Sequence, residues 1–223
     1  MELMEKIADL VIRGKVNQSS AWPPDLKGKD GVFELVRDAL AAEVDPNEIL
    51  SKGLKEGMEI IGQRFSIGEA YVPDLLMAAK AMTAGMDQLQ PFFESGAATR
   101  RGVFVVGTVL GDNHDIGKNL VRMMMEGAGF EVIDLGYNVA PEAFLAAVKE
   151  HPGCLVGLSA LLTSTMINMK QTTQMIKDYS PDTLVAVGGA PLTQGFCDSI
   201  GADIYAEDPQ KLIEWLNEEK ICC

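Results

Sequence analysis

Three side chains in one short stretch carry the chemistry of a metal or acid–base site: Asp112, His114 and Asp115, within Gly111-Asp112-Asn113-His114-Asp115-Ile116-Gly117-Lys118-Asn119. A neutral imidazole ligates a metal through one nitrogen, while a carboxylate on the other fixes its tautomer and raises its basicity. Asp112, two residues before His114, is placed to be that carboxylate, and Gly117 would let the loop pass close to a bulky ligand. Before the loop, Val103-Phe104-Val105-Val106-Gly107-Thr108-Val109-Leu110 reads as a buried strand, and after it Leu120-Val121-Arg122-Met123-Met124-Met125 reads as a helix. The histidine thus sits in a strand-to-helix loop at the carboxyl edge of an α/β sheet, where such folds bind ligands.

Other uses of such a loop fail on spacing. A dinucleotide loop needs two glycines one residue apart, which this stretch lacks. A phosphate loop needs four residues between Gly and Gly-Lys and then Ser or Thr, whereas Asn119 follows Lys118 here. A phospho-acceptor receiver domain wants an acidic cluster, which Asp112 and Asp115 could supply, but an imidazole between them is a poor neighbour for magnesium, which prefers oxygen ligands. A protein zinc site takes three or four ligands. No cysteine lies near His114 in sequence, and the other histidine, His151, belongs to a Glu-His-Pro-Gly turn expected at the opposite edge of the sheet. A metal on His114 would therefore arrive with most of its shell in a macrocycle, a haem or a corrinoid. The plainer alternative, a histidine that only caps a helix, stays open at this level.

The 223 residues suffice for one large or two modest domains, with 47% hydrophobic and 23% charged residues, the balance of a folded protein. The net charge of −13 argues against nucleic acid or an anionic membrane as partner. No apolar run approaches a membrane span, and Met1-Glu2-Leu3-Met4-Glu5-Lys6 lacks the layout of a secretory signal. Cys154, Cys197 and the adjacent Cys222-Cys223 form no spaced metal motif, so reduced thiols in a cytoplasm are expected.

Residues 1–94 read as wholly helical. Leu3, Ile7, Leu10 and Val11 make one stripe, and Val32, Leu35, Val36, Ala39 and Leu40 a second, on either side of a polar loop at 17–31 containing Pro23-Pro24. Asp45 as cap, Pro46 in the first turn and Glu48 three residues after the cap start a third helix, which runs through Ile49, Leu50, Leu54, Met58 and Ile61 to a break at Gly68. Pro73 opens a fourth, whose Leu75, Ala79, Met82, Met86 and Leu89 alternate steps of four and three. Four such helices predict a bundle. The small, polar stretch 95–101 reads as a linker. Beyond it, in 102–223, apolar runs at 103–110, 130–135, 154–158, 184–187 and 203–206 alternate with helical stretches, one opened by Pro141 and others at 164–179, 192–199 and 209–219. The fold class is α/β: a helical bundle followed by a five-stranded parallel sheet covered on both faces.

Asp112-x-His114-x-x-Gly117, then Ser159-x-Leu161, then Gly188-Gly189 resembles the cobalamin signature of methionine synthase and of the corrinoid methyltransferase proteins. The parts fall after the first, third and fourth strands, as in that family. Arg64-Phe65-Ser66-Ile67-Gly68-Glu69 and Tyr71-Val72-Pro73-Asp74-Leu75-Leu76 are similar to the family's helix-bundle cap. The resemblance covers nearly the whole chain apart from the 17–31 loop, which reads as an insertion. It implies a flavodoxin- or Rossmann-like domain that binds cobalamin, or a related corrinoid, base-off, with His114 as lower cobalt ligand and Asp112 hydrogen-bonded to it. Thr165 stands where methionine synthase has a serine completing a proton relay, so the hydroxyl is kept and the residue differs. Ser159, Leu161, Thr163, Gly188 and Gly189 match the slot for the nucleotide tail, although Gly188-Gly189 by itself would read as a tight strand-to-helix turn. Asn113, Ile116, Tyr137 and Ala206 are expected to touch corrin or tail. Tyr71, Leu75, Met77 and Met82 are expected to face the upper side of the corrin, the alternative being that the methionines only fill the bundle.

A chain with cap and cobalamin domain but no substrate barrel is expected to be a methyl carrier and not a complete enzyme. The resemblance implies as partners a substrate-specific methyltransferase, a second methyltransferase with tetrahydrofolate or coenzyme M as acceptor, and a reductive activation protein, with the linker as hinge. The rival readings are a cobalamin-binding sensor or regulator, and a flavodoxin-like module for another ligand.

Overall fold

The computed structural model describes residues 2–219; Cys222-Cys223 lie outside them. The chain divides into two compact units, Met1–Arg100 with Gly127–Gly129, and Arg101–Glu126 with Phe130–Cys223.

The first unit is helical. Its rods are α1 (Leu3–Ile12), α2 (Val32–Ala41), a continuous path from α3 (Pro46–Glu48) through a π-helical stretch at Ile49–Lys55 into α4 (Glu56–Ser66), and α5 (Val72–Glu94). Ile7, Val11, Val32, Val36, Ala39, Ile49, Leu54, Met58, Leu75, Met82 and Leu89 are buried, each on the apolar stripe of its helix. Asp45 caps α3 by accepting from the Asn47 N–H at 2.9 Å. Glu48 does not close the expected box with it: its carboxylate accepts from Lys52 Nζ at 2.8 Å, one turn on, a pairing that the helix spacing favours equally. Gly68 separates α4 from α5 in the left-handed region, at φ +77°. The Tyr71 N–H that precedes α5 donates to Asp74 Oδ2 at 2.9 Å.

The second unit is a five-stranded sheet in the order β2-β1-β3-β4-β5. The strands are β1 (Val103–Thr108), β2 (Glu131–Asp134), β3 (Leu155–Ser159), β4 (Val185–Gly188) and β5 (Ile204–Ala206). Every pair is parallel, and α6 (Ile116–Gly127), α7 (Pro141–Glu150), α8 (Met166–Tyr179), α9 (Gln194–Ile200) and α10 (Pro209–Glu218) supply the crossovers and the final helix. Val105, Val156, Leu158, Val185 and Val187 pack with Phe144, Met169 and Ile176 into one core, which is why these strands read as unbroken apolar runs. Cys154 and Cys197 are buried, and burial, aided by Asp198 and Asp203, pushes the Cys197 thiol up to about 11. The first apolar run ends as a strand at Thr108: Val109 makes only an isolated bridge to Val139, and Leu110 turns out to 40% exposure. Among the described residues no helix is long and apolar enough to cross a membrane.

Two consequences of this topology position the site. Strand order reverses between β1 and β3, so a crevice opens at their carboxyl ends. The register also aligns Thr108 with Ser159, Ser159 with Gly188 and Gly188 with Ala206, one row of small residues across four strands at that edge.

Candidate functional site

The β1–α6 loop brings Asp112 and His114 to the crevice in opposite states of exposure. Asp112 is fully buried, whereas the His114 side chain is half exposed. His114 Nδ1 lies 2.8 Å from Asp112 Oδ1, which also accepts from the His114 N–H at 3.1 Å. The other carboxylate oxygen, Oδ2, accepts from the Leu161 N–H at 2.8 Å, the Leu162 N–H at 3.1 Å and Thr165 Oγ1 at 2.8 Å. Burial opposes the charge on this carboxyl. The Leu161 N–H, the His114 ring, the Thr165 hydroxyl and the His114 N–H more than offset it, and hold Asp112 well below the usual carboxylate range. An ionised carboxylate only accepts, so His114 carries its proton on Nδ1. In the neutral imidazole the lone pair is then on Nε2, for which no group among the described residues is a hydrogen-bond partner.

Thr165 joins this network, where one hydroxyl hydrogen faces two acceptors: Asp112 Oδ2 and the Leu162 carbonyl, each at 2.8 Å. It donates to one at a time. Buried just ahead of α8, Thr165 holds the β3–α8 loop against the histidine loop. Asn168 adds a second tie through its Nδ2 to the Leu110 carbonyl at 2.6 Å.

Around His114 the surface is apolar and open. Ile116 is 74% exposed, Tyr137 59% and Leu161 44%, with Leu110, Leu162 and Ile167 also exposed; Asn113 and Thr163 are exposed polar neighbours in the same two loops. A side chain at Gly117 would meet nothing within 4 Å, so the protein's own packing does not demand glycine there. Gly189 differs: at φ +135° its Cβ would fall 1.8 Å from the Ala160 carbonyl oxygen, so the close β3–β4 approach requires glycine. At Gly188 a Cβ would stand 3.2 Å from the Ala206 oxygen.

In the helical unit Tyr71 is 70% exposed and Met77 partly so. Leu75 and Met82, expected on a ligand face, are instead at 0% and 2% exposure on the buried stripe of α5 with Ala78, Ala79 and Leu89. Their spacing of seven keeps both on the stripe that the bundle buries, so the bundle-filling alternative describes these two. His151 lies at the amino edge of the sheet, just past α7 and before β3.

Sequence reasoning passed over Leu162, Asn138 and Thr108. Leu162 acts through its backbone N–H, which no side-chain pattern advertises. Asn138 does carry a signal, an asparagine in a Gly-Tyr-Asn turn, and it is left-handed at φ +54°.

The residues present fit a metal that brings its own shell. Among the described residues no three His, Cys, Asp or Glu side chains cluster as a metal cage. A single oriented imidazole nitrogen faces an open apolar surface beside a row of small residues.

Comparison with known proteins agrees with this chemistry. The B12 binding domain family matches residues 102–213, and a second B12 binding domain family matches residues 28–90. The chain is 40% identical over 215 residues to a dimethylamine corrinoid protein of Methanosarcina barkeri, covering 95% of this chain and 94% of the relative. It is 44% identical over 193 residues to trimethylamine corrinoid protein 2 of Methanosarcina acetivorans, covering 81% and 89%. Among solved structures, the methanol:cobalamin methyltransferase complex of Methanosarcina barkeri contains a chain that superposes with a TM-score of 0.80 at 28% identity, over 97% of this chain and 79% of that one.

Proposed function

The chain belongs to the B12-binding family of corrinoid proteins, and from that premise we propose that it carries a methyl group between two methyltransferases, with His114 as the lower axial ligand of a base-off corrinoid. When bound, the corrinoid supplies the cobalt on which the methyl group rides; the protein supplies ligation, orientation and enclosure.

The observation that carries this reading is the Asp112–His114 pair. Because five hydrogen bonds keep Asp112 ionised, it holds the Nδ1 proton and directs the Nε2 lone pair outward. Thr165 Oγ1, on the far oxygen of Asp112, is the group through which a proton can leave or reach the pair as the demand on the imidazole changes. Asn113, Ile116, Gly117, Tyr137 and Leu161 form the rim against the ring. Ser159, Thr163, Gly188, Gly189 and Ala206 form the wall against the tail, supported by the register row and the side-chain-free approach at Gly189. Residues 1–94 act as cap, 95–101 as the link that lets it move, and exposed Tyr71 with Met77 as its contacts.

A methylated amine is the donor class best supported, since di- and trimethylamine corrinoid proteins are among the relatives. The chain docks a donor-specific methyltransferase and an acceptor methyltransferase using tetrahydrofolate or coenzyme M, and is restored by a reductive activation protein. The test has two arms. His114→Ala, reconstituted with hydroxocobalamin, should retain the corrinoid through the tail wall and change its visible spectrum; an unchanged spectrum removes the ligand assignment. Mixing the reduced holo-protein with a methylamine methyltransferase and a methylated amine should transfer methyl to cobalt. No transfer with any donor would favour a sensor.

A further inference from the structure

The loop that carries His114 holds only part of its own backbone, through the His114 N–H on Asp112. Other carbonyls and amides of the loop are tied by residues from outside it, and one of these, Asn138, holds it at both Gly111 and Asp112. The Asn138 N–H donates to the Asp112 carbonyl at 2.9 Å, and the Asn138 side-chain Oδ1 accepts from the Gly111 N–H at 2.7 Å. One residue thus helps hold two peptides of the loop, Leu110–Gly111 through its side chain and Asp112–Asn113 through its own amide. The third tie is Thr108, fully buried at the end of β1, whose hydroxyl donates to the His114 carbonyl at 3.1 Å. Thr108 is itself pinned to the segment bearing Asn138: its N–H donates to the Gly136 carbonyl at 3.0 Å, and its carbonyl accepts from the Val139 N–H at 2.9 Å.

We infer that Asn138 and Thr108 are positioning residues that set the approach of the His114 imidazole to the corrinoid; the inference rests on the reading of His114 as the ligand. A ligating nitrogen must meet the metal along its lone pair, so rotating either of these two peptides would misdirect it. The residue types match the task. At φ +54° asparagine and aspartate are among the few side chains that tolerate the left-handed region, and both also offer an acceptor to Gly111. Glycine would keep the backbone and lose the acceptor; alanine would lose both. At position 108 serine keeps the donor, whereas valine keeps the shape without it. The two residues reach His114 only through the loop, so their effect should fall on ligation and not on corrinoid retention.

The experiment uses the full chain labelled with ¹⁵N in its histidine rings and reconstituted with hydroxocobalamin. In the cobalt(II) form, electron paramagnetic resonance of a protein imidazole on cobalt gives a doublet splitting, distinct from the triplet of the cofactor's own ¹⁴N base. In the cobalt(III) form, the cyanide concentration that half-displaces the imidazole is read from the visible spectrum. Asn138→Gly and Thr108→Val should each lower that concentration about fivefold, the worth of one net hydrogen bond, and weaken the doublet, with cobalt bound per chain unchanged. Asn138→Asp and Thr108→Ser should restore both readouts. Wild-type cyanide midpoints and doublets in Asn138→Gly and Thr108→Val would overturn the inference, even if their melting temperatures fell, since that is a merely structural role. The His114→Ala control separates the two readings: a doublet that persists there removes His114 as ligand, whereas its loss there with unaltered positioning variants removes Asn138 and Thr108 alone.

Discussion

The two histidines of this chain sit at opposite edges of one sheet. His114 follows β1 at the carboxyl edge; His151 follows α7 at the amino edge. Both are partly exposed imidazoles in turns beside an acidic neighbour in sequence. What His151 lacks is a partner for its ring: its backbone N–H ends α7 on the Ala147 carbonyl and its own carbonyl accepts from the Cys154 N–H, at 2.9 and 3.1 Å, but no described side chain orients the imidazole. His114 has a buried carboxylate behind it, itself held by a second loop. A parallel sheet gathers its strand-to-helix loops at one edge only, so the means of orienting a ligating nitrogen exist on that side alone.

That contrast can be broken by mutation, the largest effect first. His114→Ala should abolish imidazole ligation of cobalt, and His151→Ala should leave the visible spectrum of the reconstituted protein as it is; a spectral change in His151→Ala would break the asymmetry. Asp112→Asn turns one of the two acceptor oxygens toward its donors as an amide N–H₂. Unfolding in urea should show a loss of about 2–3 kcal/mol, larger than any substitution at His151 produces, together with weaker ligation by His114.

The pH dependence follows from the sign of the Asp112 shift. Its carboxyl has a lower pKa folded than unfolded, so the unfolded chain binds the extra proton and the carboxylate stabilises the fold at all pH above its unfolded value, about 3.9. The advantage of wild type over Asp112→Asn should therefore stay flat from about pH 8 to 5 and shrink only below about pH 4, as acid approaches the depressed folded value. Urea midpoints of the two proteins across that range check it, and an advantage that declined already between neutral pH and pH 5 would contradict the hydrogen-bonded carboxylate. The smallest effect belongs to Thr165: Thr165→Val should cost about 1 kcal/mol in the same measurement and Thr165→Ser a few tenths, since serine keeps the hydroxyl and gives up only the stiffness of a β-branched side chain.

Much of the architecture was legible because its signals are local. The apolar runs of β1, β3 and β4 reflect burial on both faces; Gly68 ends a helix by its left-handed backbone, and Asp208 caps α10 by accepting from the Lys211 N–H at 3.0 Å. Other contributions were illegible because they depend on which way a stripe turns or which group a side chain chooses. Leu75 and Met82 have the right types for a ligand face and are buried by bundle packing. Glu48 has the right spacing for a capping box and pairs with Lys52 instead.

By itself the sequence determined the site's chemistry: an imidazole two residues from a carboxylate, in a strand-to-helix loop, without the further ligands of a protein metal cage. The reason is covalent proximity, since Asp112 and His114 meet within one turn of chain. Only the tertiary structure decided that the pair works as a unit. Oδ2 of Asp112 is held by Leu161, Leu162 and Thr165, which lie 49, 50 and 53 residues away, and the loop is held by Asn138. A buried carboxylate stays ionised only when enough donors converge on it, and those donors come together only once β3 has paired beside β1.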